Sequence, residues 1–265
     1  MTSLSLAVTD GLTITRRNLI KVKRVPDLIV FATLSPIMFV LLFRYVFGGA
    51  INVPGEISYA EFLLPGIFAQ TVIFGSTITG ASLADDLQKG LIDRFRSLPI
   101  AHSAVLVGRT AADVCLNALS IAVMAVTGLI VGWRIHTSFA EAAAGFVLLL
   151  GFAYAMSWLM AQVGLMVRTP EVVQNASFIV IFPITFVANT FVPLETFPPV
   201  LKTFAEWNPV SSVVQAARNL FGNSFGAPDV WSLQNPVLYS ALWGVAILAV
   251  FVPLSVRTFN NAASR

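Results

Sequence analysis

Apolar residues fall into six long runs separated by short polar intervals. Each run approaches the roughly 20 residues that a helix needs to cross the hydrocarbon of a bilayer. The first runs from Leu28 to Phe47, with Pro36 as a kink near its middle. The second covers Phe62 to Ala84, the third Val114 to Trp133 and the fourth Ala142 to Val167. The fifth covers Val172 to Leu194, with Pro183 inside it, and the sixth lies within Val230 to Val256 and starts near Pro236. No run shows the strict alternation of a half-buried strand. The pattern predicts an all-α membrane protein of six transmembrane helices in one domain, residues 1–265.

Three polar intervals carry their own periodicity. In residues 85–109, Leu87, Leu91, Phe95 and Leu98 fall on one side of a helical wheel and Lys89, Asp93 and Arg96 on the other, up to Pro99. This amphipathic segment reads either as a helix lying on the bilayer or as a docking surface for a soluble partner. Residues 1–27 are mixed, with Arg16, Arg17, Lys21, Lys23 and Arg24 just before the first run, as in an inner-leaflet anchor. Residues 195–229 are long for a loop between adjacent helices. There Val210, Val213, Val214, Ala217, Leu220 and Phe221 share one face and Ser212, Gln215 and Asn219 the other, predicting a short helix at or dipping into the outer interface.

Composition agrees: 57% of residues are hydrophobic, only 11% are charged, and mean hydropathy is +0.82. The start of the chain lacks the charged, apolar and small-residue pattern of a signal peptide, so the N-terminus is expected in the cytosol. Of the 16 Lys and Arg, only Arg44, Arg134, Lys202 and Arg218 fall between runs on the side opposite the termini. By the positive-inside rule, both termini and the 85–109 segment are cytoplasmic and the 195–229 segment is extracytoplasmic. Membrane topology thus accounts for the net charge of +3, and no nucleic-acid partner is needed.

Absent motifs narrow the function. There is no Gly-rich phosphate loop ending in Lys-Ser or Lys-Thr, so the chain is not expected to hydrolyse ATP. His102 and His136 lie on opposite sides of the predicted membrane without metal-ligand spacing, and no serine-nucleophile elbow occurs. The centres of the six runs lack ionisable residues, which argues against an ion-coupled carrier. Asp113 is the nearest candidate, and it reads as a surface or helix-cap residue beside Arg109. Cys115 reads as a packing residue.

The runs do hold uncharged polar residues, among them Gln70, Thr71, Thr77, Thr79, Asn117, Gln162 and Asn189, each of which could simply bond between helices. Phe68, Phe74, Phe152, Phe178, Phe182 and Phe186 could face lipid or neighbouring helices. As a group, Gln70, Phe74, Thr77, Phe178, Phe182 and Asn189 are candidates to line a path for a bulky apolar substrate.

Four stretches resemble one family. RFRSLPI at Arg94 to Ile100, then VLVGR at Val105 to Arg109, is similar to the cytoplasmic segment of type-2 ABC exporter permeases, above all the daunorubicin/doxorubicin-resistance group. FLLPGI at Phe62 to Ile67 resembles the start of their second span, and WNPVSSVVQAARNLF at Trp207 to Phe221 their outer segment before the last span. The resemblance implies a multi-pass permease of a bacterial plasma membrane that moves an amphipathic drug, lipid or other hydrophobic metabolite outward. It also implies a second permease as dimer partner and a separate cytoplasmic ATP-binding subunit that holds the ATP and Mg. Under it, Leu87, Leu91, Arg94, Phe95, Arg96 and Leu98 belong to the helix that couples to the ATPase. Two other classes stay open on the residues alone: a nucleotide-independent channel or carrier, and a membrane scaffold that transports nothing.

Overall fold

The computed structural model describes residues 3–24, 26–49, 51, 57–91, 102–167, 169–225 and 229–261. Those residues form helices and turns, with no strand among them. Helix α1 is Ser3–Arg24, and α2 is Pro26–Leu42, extended by a π-helical turn over Phe43–Phe47. The second apolar run divides at Ser76 into α3 (Tyr59–Gly75) and α4 (Thr77–Gln88). Then follow α5 (His102–Ile130), α6 (Phe139–Met166) and α7 (Pro170–Phe186). The short helices α8 (Pro199–Trp207), α9 (Pro209–Phe221) and α10 (Trp231–Gln234) precede α11 (Pro236–Asn261).

Caps written in the sequence set many of these boundaries. Ser58 with Glu61, and Ser138 with Glu141, form reciprocal capping boxes at the starts of α3 and α6. Thr169-Pro170 and Asn208-Pro209 start α7 and α9, with the side-chain oxygen accepting from a backbone N–H and proline in the first turn. Gly222 ends α9 at φ +72°, the left-handed conformation that favours glycine.

Four helical stretches are long and apolar enough to cross a membrane: Tyr59–Gln88, Ser103–Ile130, Phe139–Met166 and Pro236–Asn261. The first and fifth runs form shorter apolar helices, over Thr33–Phe47 and Pro170–Phe186. The third run starts earlier than its hydropathy indicated. Helix α5 opens at His102, so Arg109 and Asp113 lie inside it instead of before it. The fifth run stops at Phe186, and the chain after it turns inward.

The main core centres on α3. Phe62, Leu63, Leu64, Ile67 and Phe68 are buried against Leu149 and Phe152 of α6 and Val213, Val214 and Phe221 of α9. Trp133, after α5, meets Phe68 and Phe221 edge-on at 5.3 and 5.5 Å and donates its indole N–H to Asn223 Oδ1 at 2.7 Å. A second cluster fastens the opposite end: Ile14 of α1, Leu106 of α5, Trp158 and Leu165 of α6, and Phe259 of α11.

In helix α9 the apolar face packs in the core, and of the polar face Asn219 is exposed while Ser212 and Gln215 are buried. Ser211 and Arg218 are buried beside them. Their bonds explain why. Ser211 Oγ accepts from the Asn189 N–H at 3.3 Å, and Gln215 Oε1 accepts from the Asn189 side-chain amide at 3.3 Å. Arg218, 1% exposed, donates from Nε to the Phe62 carbonyl at 2.9 Å and from Nη2 to the carbonyls of Asn189 at 2.6 Å and Thr190 at 3.3 Å. Its guanidinium lies 3.7 Å above the Phe62 ring. Asn189 and Thr190 follow the end of α7, where carbonyls have no intrahelical partner, so Arg218 satisfies groups the helix leaves open. Gly66 permits the approach: a Cβ there would come within 2.7 Å of the Thr190 carbonyl oxygen. FLLPGI and the Trp207 to Phe221 stretch, whose Phe62 and Arg218 are 156 residues apart, thus meet around one guanidinium.

Candidate substrate cavity

Five Phe residues and one polar stripe line a cavity in the bundle. On α7, Phe178, Phe182 and Phe186 recur every fourth residue and so share one face. Their rings follow one another at 4.9 and 4.0 Å, and Phe74 of α3 lies 6.2 Å from Phe178. On α5, Arg109, Asp113, Asn117 and Ser120 recur at spacings of four, four and three, which also makes one face. Both stripes line a cavity of about 590 Å³, within the range of small-molecule sites. From Arg109 to Ser120, at about 1.5 Å of rise per residue, it runs roughly 16 Å along the bundle.

Helix α3 and α4 contribute Ile67, Gln70, Thr71, Phe74, Thr77, Ile78 and Ser82, and the break at Ser76 lies among them. Helix α2 contributes Ser35, Pro36 and Phe39, and α1 contributes Asn18. Among the described residues, α2 and α7 do not pack on each other. Phe39 of α2 and Phe178 of α7, the latter 54% exposed, both line the cavity. The aromatic series continues past the cavity: Phe186 lies 4.9 Å from Phe191, and Phe191 stacks at 4.4 Å on Phe43 of the π-helical turn.

The polar end of the cavity corrects the reading of Asp113 as a surface or cap residue. It is 3% exposed, accepts a hydrogen bond from the Thr79 hydroxyl on α4, and has Arg109 Nε 3.5 Å from its Oδ2. An Arg and an Asp four apart in an otherwise apolar helix was the available signal. It was missed because the charges looked like the edge of a loop.

Of the six path candidates, Gln70, Phe74, Thr77, Phe178 and Phe182 line this one cavity. Asn189 does not; it is tied to Ser211 and Gln215 of α9. Among the other polar residues of the runs, Thr79 and Gln162 bond between helices, Gln162 donating to Thr258 Oγ1 at 3.1 Å. Cys115 is exposed on α5 and fills no core position. Of the candidate coupling residues, Leu87 packs against the second apolar cluster, and Leu91 is partly exposed beyond a turn at Gly90. Arg94, Phe95, Arg96 and Leu98 lie outside the described residues. Among the described residues, no group of three or more His, Cys, Asp or Glu is placed to hold a metal ion.

Comparisons with known proteins agree with this architecture. The chain is 34% identical over 255 residues to the daunorubicin resistance ABC transporter permease protein DrrB1 of Streptomyces coeruleorubidus, covering 96% of this chain and 87% of the relative. It is 25% identical over 229 residues to the probable doxorubicin resistance ABC transporter permease protein DrrC of Mycobacterium tuberculosis (strain ATCC 25618 / H37Rv), covering 86% and 80%. With the putative transport permease ycf38 of Porphyra purpurea it shares 22% identity over 247 residues, covering 90% and 81%. The profile of the ABC-2 type transporter family matches residues 10–221, from α1 through the last residue of α9 and across every helix that lines the cavity, and the chain belongs to that family.

Proposed function

We propose that this chain is the membrane permease subunit of an ATP-driven exporter that moves an amphipathic drug, lipid or other hydrophobic metabolite out across the plasma membrane. The observation that carries the reading is a cavity lined by both the aromatic stripe of α7 and the polar stripe of α5, in a chain of the ABC-2 family. Relatives named for resistance to daunorubicin and doxorubicin support the class of cargo. A cargo of this kind partitions into the bilayer, and the gap between α2 and α7 offers it a lateral way in.

In this proposal the shorter apolar helices α2 and α7 also cross the membrane, giving six spans with both termini in the cytoplasm. Their reduced length is then met by local thinning or by neighbouring subunits. Two permeases pair, and each engages a cytoplasmic ATP-binding subunit that holds ATP and Mg. The end of α4 and the segment after it, with Leu87, Leu91, Arg94, Phe95, Arg96 and Leu98, receive the ATPase: apolar residues pack, and the arginines pair with acidic groups. ATP binding closes the ATPases, and their movement through this segment alters the angle between α4 and α5. Thr79 and Asp113 join those helices beside the cavity, so the same movement reaches its polar end.

The test is to purify the tagged chain gently from its native membrane and identify what accompanies it. The proposal expects an ATP-binding protein that is lost from the Leu91→Ala/Phe95→Ala variant. A chain that emerges alone from every detergent and lipid, with no ATP hydrolysis, would remove the motor and the proposal with it.

A further inference from the structure

Helix α8 carries an apolar face that no described part of the chain covers. Val200, Phe204 and Trp207 recur at spacings of four and three, so they share one side of the helix. Each is half or more exposed, Val200 at 82%. Lys202 and Glu206, 3.9 Å apart, fall on the far side. The one residue that α8 buries is Ala205, in a small cluster with Leu194 and Leu233. Water is a poor neighbour for three large apolar side chains side by side on so short a helix.

The setting of the helix names the neighbour. Its end is fastened on three sides: Asn208 Nδ2 donates to the Ile184 carbonyl of α7 at 2.7 Å, the Ser232 hydroxyl of α10 donates to the Glu206 carbonyl, and the Tyr239 hydroxyl of α11 donates to the Trp207 carbonyl at 3.0 Å. The last bond sets α8 beside α11, a helix of membrane-spanning length whose most apolar stretch is only 11% buried. Leu238 and Leu242 are exposed there, on a surface that suits lipid. Where the two helices meet, Tyr239 takes Trp207, Trp231 and Trp243 edge-on at 6.4, 6.0 and 6.4 Å. Trp and Tyr collect where hydrocarbon gives way to headgroups, because the ring is apolar and its N–H or O–H is not. These four mark that level at the Pro236 end of α11.

We infer that α8 lies in the membrane interface, with Val200, Phe204 and Trp207 set among the upper acyl chains of phospholipids and Lys202 and Glu206 turned to headgroups and water. The lipid-facing surface of α11 thus continues without a break onto α8. In the proposed topology this is the outer leaflet. The Asn208 bond then ties the end of α7 to the bilayer surface, two residues from Phe186 in the cavity wall. The inference concerns a contact with lipid and holds whether or not the chain exports.

The test places a nitroxide at one residue at a time in the Cys115→Ala chain, purified with its native subunits and reconstituted into phosphatidylcholine vesicles. The sites are Val200→Cys, Phe204→Cys and Lys202→Cys, with Leu242→Cys on α11 as the lipid-facing reference. Power saturation of the spin signal compares collisions with oxygen, which concentrates in hydrocarbon, and with a water-soluble nickel chelate, which stays outside it. Oxygen should exceed nickel at Val200 and Phe204, by less than at Leu242, and nickel should exceed oxygen at Lys202. Nickel exceeding oxygen at Val200 and Phe204 would put α8 in water and overturn the inference. Shielding of both sites from both reagents would overturn it too; dipolar broadening between labels would then assign the face to a second copy of this chain, and its absence to another subunit. A second measurement needs no label. Trp133 and Trp158 are buried, so quenching by phosphatidylcholine brominated high on its acyl chains should report on Trp207, Trp231 and Trp243. It should exceed quenching by lipid brominated near the chain ends, and fall in Trp207→Phe; quenching that is unchanged in Trp207→Phe would also overturn the inference.

Discussion

Replacing Arg218 by Ala should destabilise the protein more than any change at an exposed charge. The side chain holds three backbone carbonyls at 2.9, 2.6 and 3.3 Å and covers the Phe62 ring at 3.7 Å. Desolvation works against its charge and lowers its pKa. A guanidinium nevertheless stays protonated near neutrality, so the charge is retained and bonded. Removing it leaves the carbonyls of Asn189 and Thr190 without this donor, each at a cost of about 1–3 kcal/mol, and opens a cavity at the junction of α3, α7 and α9. A total of about 3–5 kcal/mol follows, comparable with breaking a buried ion pair. At roughly 2–4 °C per kcal/mol for a chain of this size, the melting point should fall by about 6–20 °C. The assay is a thermal melt followed by fluorescence-detected size exclusion in detergent. Arg218→Met separates two explanations, because it restores apolar volume but cannot donate; it should still lose at least half of the stability lost by Arg218→Ala. Arg218→Lys keeps the charge but not the fork, and should fall between wild type and Met. An Arg218→Ala protein melting within about 2 °C of wild type would refute the reasoning, since that is less than one kcal/mol.

Phe182→Ala removes a partly buried ring stacked at 4.0 Å on Phe186 and should weaken the apparent affinity for transported substrate by roughly 5–30-fold, worth about 1–2 kcal/mol of buried surface, while the melting point changes little. Unchanged transport kinetics would exclude the cavity from the path. Gly222→Ala forces a Cβ into a φ of +72° and within 2.9 Å of His136 Cβ, so a loss of at least about 1 kcal/mol is expected in the same melt. Cys115 should react with a lipid-soluble pyrene maleimide in intact membranes and not with a sulfonated, impermeant one; equal labelling by both would place α5 in water at that level. Charge reversal at both Arg94 and Arg96 should abolish transport while leaving melting unchanged, and efflux at the wild-type rate would detach those arginines from coupling.

Much of the fold was legible because the membrane imposes a simple rule on sequence. The apolar runs became helices, Pro236 opens the last one, and the Ser-x-x-Glu boxes at Ser58 and Ser138 mark two starts directly. What misled was charge near a run's edge. Arg109 and Asp113 read as the cytoplasmic edge of the third span; held four apart, with Thr79 bonded to Asp113, they lie within α5. The burial of most of the polar face of α9 is likewise hidden from the sequence. Hydropathy cannot show that Ser211, Gln215 and Arg218 have the broken end of α7 as a partner, since those contacts join residues 22 to 29 apart and, through Phe62, 156 apart. The site was half legible for a related reason. A Phe every fourth residue on α7 and a polar residue every three or four on α5 can be read from spacing. That both stripes reach one cavity cannot, because it depends on how α3 and α4 pack against α5 and α7.

The most direct test of the exporter is uptake by inverted membrane vesicles containing this chain and its ATP-binding partner, using a panel of fluorescent amphiphiles. The account predicts accumulation that requires ATP, stops when the partner's hydrolysis is disabled, and falls in the Phe182→Ala variant. Accumulation at the same rate without nucleotide would contradict it and make the chain a passive carrier, and no accumulation across a broad panel, with ATP hydrolysis intact, would make it a scaffold.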